Sequence, residues 1–92
     1  MKRYVIERDI PGVGAMSGEQ LKRVAVISCE AATQLYGKIH WEHSYITADK
    51  TFCIYLADNE VSVLEHARLS GVPANKITEV HTVIDPLTAF SP

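Results

Sequence analysis

Four histidines, at positions 40, 43, 66 and 81, are the residues of this sequence best suited to chemistry, because neutral imidazole binds Zn, Cu, Ni and Fe ions. His40 and His43 would lie together on a helix, but their odd separation on a strand sends them to opposite faces unless a β-bulge intervenes. The spacing alone therefore does not predict a pair of metal ligands. The register of the surrounding hairpin decides whether Glu42 or His43 points away from the helices.

Glu7 is the carboxylate of greatest interest, because a charge in the middle of a covered strand must be paired, protonated or bound to a ligand. An ion pair with a nearby basic side chain competes with a site role. Glu79 and His81 share a face of the last predicted strand, as a metal pair or an acid–base pair would. A cross-strand ion pair or a solvated edge is the simpler explanation of those two residues.

The two cysteines, Cys29 and Cys53, are far apart and form no CxxC pair, which argues against a disulfide staple, a zinc ribbon and a thioredoxin-type site. Cys53 fits either a soft metal ligand or a small core residue, and packing is favoured. Cys29 is expected in the core. Two reduced thiols, and an N-terminus that becomes charged before any signal-peptide core, predict a cytoplasmic protein.

The composition excludes several classes of partner. The 92 residues carry 9 Lys+Arg against 11 Asp+Glu, for a formal net charge of −2. Nucleic acids and anionic membranes attract clustered Lys and Arg, so this balance predicts neither as a partner. No run of about 18 apolar residues predicts a transmembrane span. Length and composition predict a single domain over residues 1–92.

Local patterns predict the elements that position these residues. Ser17 and Gln20 form a capping box that begins a helix, and Asp58 or Asn59 can cap a second helix that Gly71 ends. Two runs rich in β-branched and aromatic residues, joined by a short polar connection, form a β-hairpin. The predicted elements in order are a strand at 3–10, a helix at 17–36, hairpin strands at 38–47 and 51–57, the second helix, and a strand at 76–84 before a frayed tail.

The order β-α-β-β-α-β, with a right-handed crossover in each half, predicts a ferredoxin-like α+β sandwich. Its four-stranded antiparallel sheet carries both helices on one face. In the second helix, Val61, Leu64 and Ala67 are expected to face the sheet. The other face of such a sheet normally alternates apolar with polar residues when it meets water.

The strands of this sequence alternate poorly, which indicates that the second face of the sheet is covered. If Phe52, Ile54 and Leu56 point to the helices, Cys53 and Tyr55 lie on the opposite face. A second copy of the chain is the simplest cover, through a two-fold contact that makes a dimeric α/β barrel. A monomer that leaves these side chains half exposed is the alternative.

Four stretches carry a resemblance to a known family: Tyr4-Val5-Ile6-Glu7-Arg8, the run from His43 to Tyr55, Glu65-His66-Ala67-Arg68, and Val83-Ile84-Asp85-Pro86. They resemble a family of small bacterial proteins known as a domain of unknown function, whose best-described relative is a nickel-binding protein. The resemblance spans nearly the whole chain and implies a dimeric ferredoxin-like fold.

Carried over position by position, the resemblance implies a set of candidate metal-site residues: Glu7, His43, Cys53, Tyr55 and His66. It leaves open which of them ligate the ion. The sequence departs from the family at two points. Asp58 follows Ala57 where the family has an Ala-Pro step, and Glu42 adds a carboxylate that would extend the ligand set or alter the metal preference.

The resemblance implies a cytoplasmic homodimer that binds Ni²⁺ or a similar divalent ion through imidazole and carboxylate groups. Two other functions stay open. One is an enzyme of the dimeric α/β-barrel kind, such as a cofactor-free oxygenase or isomerase, with His43 as general base in a pocket lined by Trp41, Tyr45 and Tyr55. The other is a small-molecule sensing or scaffold module without chemistry of its own.

Overall fold

The computed structural model describes residues 1–92 as four strands and two main helices. The strands are β1 (Lys2–Asp9), β2 (Ile39–Ile46), β3 (Lys50–Ala57) and β4 (Lys76–Val80), and the helices are α1 (Gly18–Thr33) and α2 (Glu60–Ser70). Short 3-10 helices occupy Val13–Ala15 and Pro86–Phe90. The last strand therefore ends four residues before the predicted boundary.

The sheet has the order β2-β3-β1-β4, and every pair of neighbouring strands is antiparallel. This order, with the element sequence β-α-β-β-α-β, confirms the predicted ferredoxin-like α+β fold. We call the side of the sheet that packs against the helices the helix-covered face and the other side the open face. Neither helix is long and apolar enough to cross a membrane.

The helix ends follow the predicted local signals. The Ser17 hydroxyl accepts from the Gln20 amide while the Gln20 side chain accepts from the Ser17 amide, which completes the capping box of α1. Asn59 caps α2, and Gly71 ends it with a left-handed φ of 74°. Helix α1 stops earlier than predicted, because the left-handed φ values of Tyr36 and Gly37 cannot continue a helix.

The core lies between the helices and the helix-covered face. Its buried residues are Tyr4, Ile6, Ile39, Cys53, Tyr55, Ala57 and Val63. The expected orientation of β3 is thus wrong: Cys53 and Tyr55 face the helices, whereas Phe52, Ile54 and Leu56 lie on the open face, half buried. On the inner face the Tyr55 hydroxyl lies 3.2 Å from Ser28 Oγ of α1, so the polar group of this buried residue has a partner.

The expected inner face of α2 is also wrong in part. Val61 and Leu64 are 70% and 51% exposed, while Ser62, Val63, His66 and Ala67 are buried. Ser62 turns inward because its hydroxyl donates to the Asp58 carboxylate. Cys29, expected in the core, is exposed on α1.

Candidate functional site

A β-bulge in β2 settles the register that the sequence left open. Trp41 pairs with Tyr55 and His43 pairs with Ile54, so Glu42 is the additional residue of the bulge. Trp41 therefore lies on the helix-covered face and His43 on the open face. His40 pairs with Leu56 and lies on the same face of the sheet as His43, because the bulge reverses the alternation of side chains between the two histidines.

On the open face, Glu42 and His43 lie next to each other with different partners. The Glu42 carboxylate accepts from Arg3 Nε at 2.6 Å and from its Nη2 at 3.3 Å, and this hydrogen bonding lowers the pKa of Glu42. His43 Nε2 lies 3.1 Å from the Tyr45 hydroxyl, with the two rings edge to face. The bulge thus brings a carboxylate and an imidazole to one surface.

Glu7 lies on the same open face, opposite Phe52 of β3. Its carboxylate is 3.9 Å from Lys50 Nζ, at the outer limit of an ion pair, and Lys50 is also 3.5 Å from Asp9. Neither arginine of β1 pairs with Glu7. A weakly engaged, partly exposed carboxylate of this kind is free to accept another partner.

Cys53, Tyr55 and His66 lie on the other side of the sheet, where they line a cavity of about 300 Å³ beneath α1. The Tyr55 hydroxyl is 3.2 Å from Ser28 Oγ, and His66 Nε2 is 3.0 Å from the Ser28 carbonyl oxygen. The Tyr55 and His66 rings contact each other with centroids 4.9 Å apart. Cys53 Sγ lies 3.5 Å from the Thr51 hydroxyl.

Burial determines the charge states of Tyr55 and His66. It raises the pKa of Tyr55, which therefore stays a neutral phenol. Burial also lowers the pKa of His66; the bond to the Ser28 carbonyl opposes that shift, and the charge of Arg8 adds to it. A neutral imidazole that donates from Nε2 leaves Nδ1 as an acceptor, and that buried atom has no hydrogen-bond partner.

The five predicted site residues therefore divide between two surfaces. Glu7 and His43 lie on the open face, whereas Cys53, Tyr55 and His66 line the cavity on the helix-covered face. Within one chain, no group of three or more His, Cys, Asp or Glu side chains is placed to hold a metal ion.

The pocket expected for an enzyme is divided in the same way. Trp41 and Tyr55 lie on the helix-covered face, while His43 and Tyr45 lie on the open face. These four side chains do not line one cavity, so His43 cannot act as a base toward a substrate held between Trp41 and Tyr55.

Sequence reasoning missed Arg8 and Ser28 as members of the cavity. Arg8 is in phase with Tyr4 and Ile6, both of which are buried, and a basic residue at that spacing is the signal of a buried cation. Ser28 lies on the predicted inner face of α1, but its hydroxyl gave no sign of its partners on β3 and α2.

Comparisons with known proteins agree with this fold. The family model described as nickel responsive protein SCO4226-like matches residues 4–80. Among solved structures, the crystal structure of SCO4226 from Streptomyces coelicolor A3(2) aligns with a TM-score of 0.74 and 15% sequence identity, and the alignment covers 89% of this chain and 99% of that chain. At that identity the structural match establishes the fold alone. No curated protein sequence matches the chain significantly.

Proposed function

Because this chain belongs to the SCO4226-like family of nickel responsive proteins, we propose that it is a homodimeric protein of the bacterial cytoplasm that binds Ni²⁺ or a similar divalent ion. The match of the family model over residues 4–80 is the observation that carries this proposal. Two free cysteines that lie apart, one exposed and one buried, fit a reducing compartment. No catalysis is part of the proposal.

The open face offers the donors that such an ion prefers. Imidazole and carboxylate groups bind Ni²⁺ and its neighbours in the first transition row. His40 and His43 supply imidazoles on one side of β2, and Glu7 and Glu42 supply carboxylates on the same face of the sheet. Of the five residues that the family resemblance indicates, Glu7 and His43 are therefore the ones we assign to the metal site.

The cavity on the helix-covered face is a poorer environment for a divalent cation. Arg8 lines it together with Cys53, Tyr55 and His66, and no Asp or Glu is present among the lining residues. A buried guanidinium repels a second cation, and without a carboxylate the desolvation of the metal ion would go uncompensated. This contrast supports the open face as the metal-binding surface.

A second copy of the chain would complete the site. Half-buried apolar side chains lie on the open face at Val5, Phe52, Ile54, Leu56 and Val80. A two-fold contact between two such faces covers them and brings donors from both copies together. Since one chain alone assembles no group of three ligands, a site shared by two copies is the arrangement we propose.

Calorimetric titration of the untagged, chelator-stripped protein with Ni²⁺, Zn²⁺ and Co²⁺ tests this proposal, with the dimer mass measured in the same buffer. We expect saturable binding at a fixed integer ratio per chain. His43→Ala should weaken Ni²⁺ binding at least about tenfold and leave the dimer intact, because it removes one imidazole ligand. The exposed His81, which lies beyond the end of β4, provides the matched control in His81→Ala.

Two results would contradict the proposal. Weak, non-saturating heats with every ion would make the histidines surface groups without a metal site. Saturable binding that is equally tight in His43→Ala would remove His43 from the site and leave only the family relationship as support.

A further inference from the structure

A cavity of about 300 Å³ lies beneath α1, between that helix and the sheet. Helix α1 buries only Ser28 and Ala31, while Val24 and Ile27 line the cavity and yet remain 42% and 44% exposed. The helix therefore stands off from the sheet along its first turns instead of packing onto it. A volume of about 300 Å³ lies at the lower end of the range for pockets that bind small molecules.

The walls and the floor of this cavity differ in chemistry. Apolar side chains of α1 and of the segment that precedes it form the walls, including Val13, Met16, Leu21 and Val24. The polar groups come from the sheet, from α2 and from Ser28 of α1. A mainly apolar enclosure with a few convergent polar groups is the usual composition of a ligand site.

Arg8 is the most unusual of those polar groups, because it is a cation with only 3% of its surface exposed and no carboxylate within ion-pair distance. One of its terminal nitrogens donates to the Pro73 carbonyl oxygen at 3.0 Å, while the other, Nη2, has no partner. Its guanidinium lies 5.9 Å from the centre of the Tyr55 ring. A buried charge without a counter-charge is strongly unfavourable unless something neutralises it.

The remaining polar groups of the floor carry no charge that would balance Arg8. Ser28 and Thr51 are hydroxyls, Tyr55 is a phenol, and His66 is neutral. None of the lining residues is acidic. The cavity therefore has a positive potential inside apolar walls.

We propose that this cavity binds a small, mainly apolar carboxylate, with its anionic group beside Arg8 and its hydrocarbon part against α1. The planar fork of a guanidinium matches the two oxygens of a carboxylate, and the apolar walls match a hydrocarbon chain or ring. A cavity of about 150 Å³ holds benzene, so this one suits a ligand of roughly a dozen non-hydrogen atoms. The site is separate from the open face and independent of metal binding.

Titration with octanoate tests the inference, because this monocarboxylate has about the right size. Octanamide has the same number of non-hydrogen atoms without the charge, and octylamine reverses the charge. We expect octanoate to bind with a Kd below about 1 mM and to raise the melting temperature. The amide should bind at least about tenfold more weakly, and the amine should not bind.

Variants of two arginines on β1 locate the effect. Arg8→Met should weaken octanoate binding at least about tenfold while leaving octanamide binding unchanged, because it keeps an unbranched apolar stem and removes the charge. Arg8→Lys should retain part of the affinity. Arg3→Met changes the same residue type on the open face, and it should bind octanoate as the parent protein does.

Several outcomes would overturn the inference. They are an absence of octanoate binding to the folded parent protein, equal affinities for octanoate and octanamide, and an affinity for octanoate that Arg8→Met leaves unchanged. Circular dichroism of each variant establishes that it is folded. If Arg8→Met does not fold, the comparison of octanoate with octanamide and octylamine on the parent protein decides the question by itself.

Discussion

Strand β1 carries two arginines that face opposite sides of the same sheet and have opposite surroundings. Arg3, on the open face, forms a two-point contact with Glu42 in a partly exposed setting. Arg8, on the helix-covered face, is buried with one backbone acceptor and no acidic partner. Arg3 has a counter-charge in Glu42 and forms a surface ion pair. Arg8 has no counter-charge at ion-pair distance within the chain, and a bound anion would supply one, which makes its surroundings a candidate ligand site.

The largest effect should come from the neighbours Val5 and Ile6, which lie on opposite faces between those arginines. Ile6 is fully buried in the core, so Ile6→Ala should lower the free energy of unfolding by about 2–5 kcal/mol through lost apolar contacts and a cavity. Val5→Ala should lower the stability of the isolated chain by less than about 1 kcal/mol. Urea denaturation measures both values.

Protein concentration turns this pair of variants into a test of the dimer. If the open face is the dimer interface, Val5→Ala shifts the monomer–dimer equilibrium toward monomer, so the variant dissociates at a higher protein concentration than the parent protein does. Sedimentation of Val5→Ala and Ile6→Ala at two concentrations distinguishes the two faces. Equal dimer masses for the parent and Val5→Ala would argue against the proposed contact.

A smaller effect, opposite in sign to that of Ile6→Ala, should follow from replacing the buried arginine. Arg8→Met should raise the free energy of unfolding by about 1–2 kcal/mol in the absence of ligand, because it replaces an unpaired buried cation with an apolar side chain. Arg3→Met should lower it by less than about 1 kcal/mol, since the pair with Glu42 is partly exposed. Thermal and urea denaturation report both changes, and a large loss of stability in Arg8→Met would show that the arginine is structural.

The smallest predicted effect is a pH dependence on the helix-covered face. Burial lowers the pKa of His66 in the folded protein below its usual value of about 6.5, so the unfolded chain binds a proton first as the pH falls. Stability should therefore decrease from pH 7 to pH 6, by at most about 0.7 kcal/mol from this residue. His66→Gln should lose that component, while His81→Gln, at an exposed position, should retain it. An identical pH dependence in His66→Gln would contradict the assignment.

Most of the fold was predictable because its signals are local. The capping box at Ser17, the turn between the hairpin strands and the glycine that ends α2 each depend on a few adjacent residues. The order of strands and helices along the chain then allows few sheet topologies, and the ferredoxin-like arrangement is the common one for the order β-α-β-β-α-β.

The sequence did not predict which side chains of β3 and α2 face the core, because the buried positions of both elements include polar residues and the less buried positions include apolar ones. Along β3 both faces are apolar, so alternation does not indicate which face lies inward; Tyr55 faces the helices, where its hydroxyl contacts Ser28 of α1. On α2, His66 turns inward because its imidazole reaches the Ser28 carbonyl from a distant part of the chain. Such long-range hydrogen bonds leave no trace in the local sequence.

The candidate sites were predictable only as a set of residue types. The sequence pointed to His43 and Glu7, but the bulge at Glu42 that brings His43 to the open face is visible only in the strand register. Arg8 escaped notice because a basic residue in a strand is normally exposed, and its buried position depends on the helices that cover it.

The alternation of side chains along β1 makes the two surfaces separable in a genetic screen. A combinatorial library restricted to codons 3, 5 and 7 varies the open face, and a library at codons 4, 6 and 8 varies the helix-covered face, within one short oligonucleotide. Screening the first library for Ni²⁺ binding tests the proposed metal surface while leaving the residues of the helix-covered face unchanged. Deleting one codon within β1 shifts the strand register by one residue, so every β1 residue on one side of the deletion moves to the opposite face of the sheet. Such a deletion is a negative control for the screen.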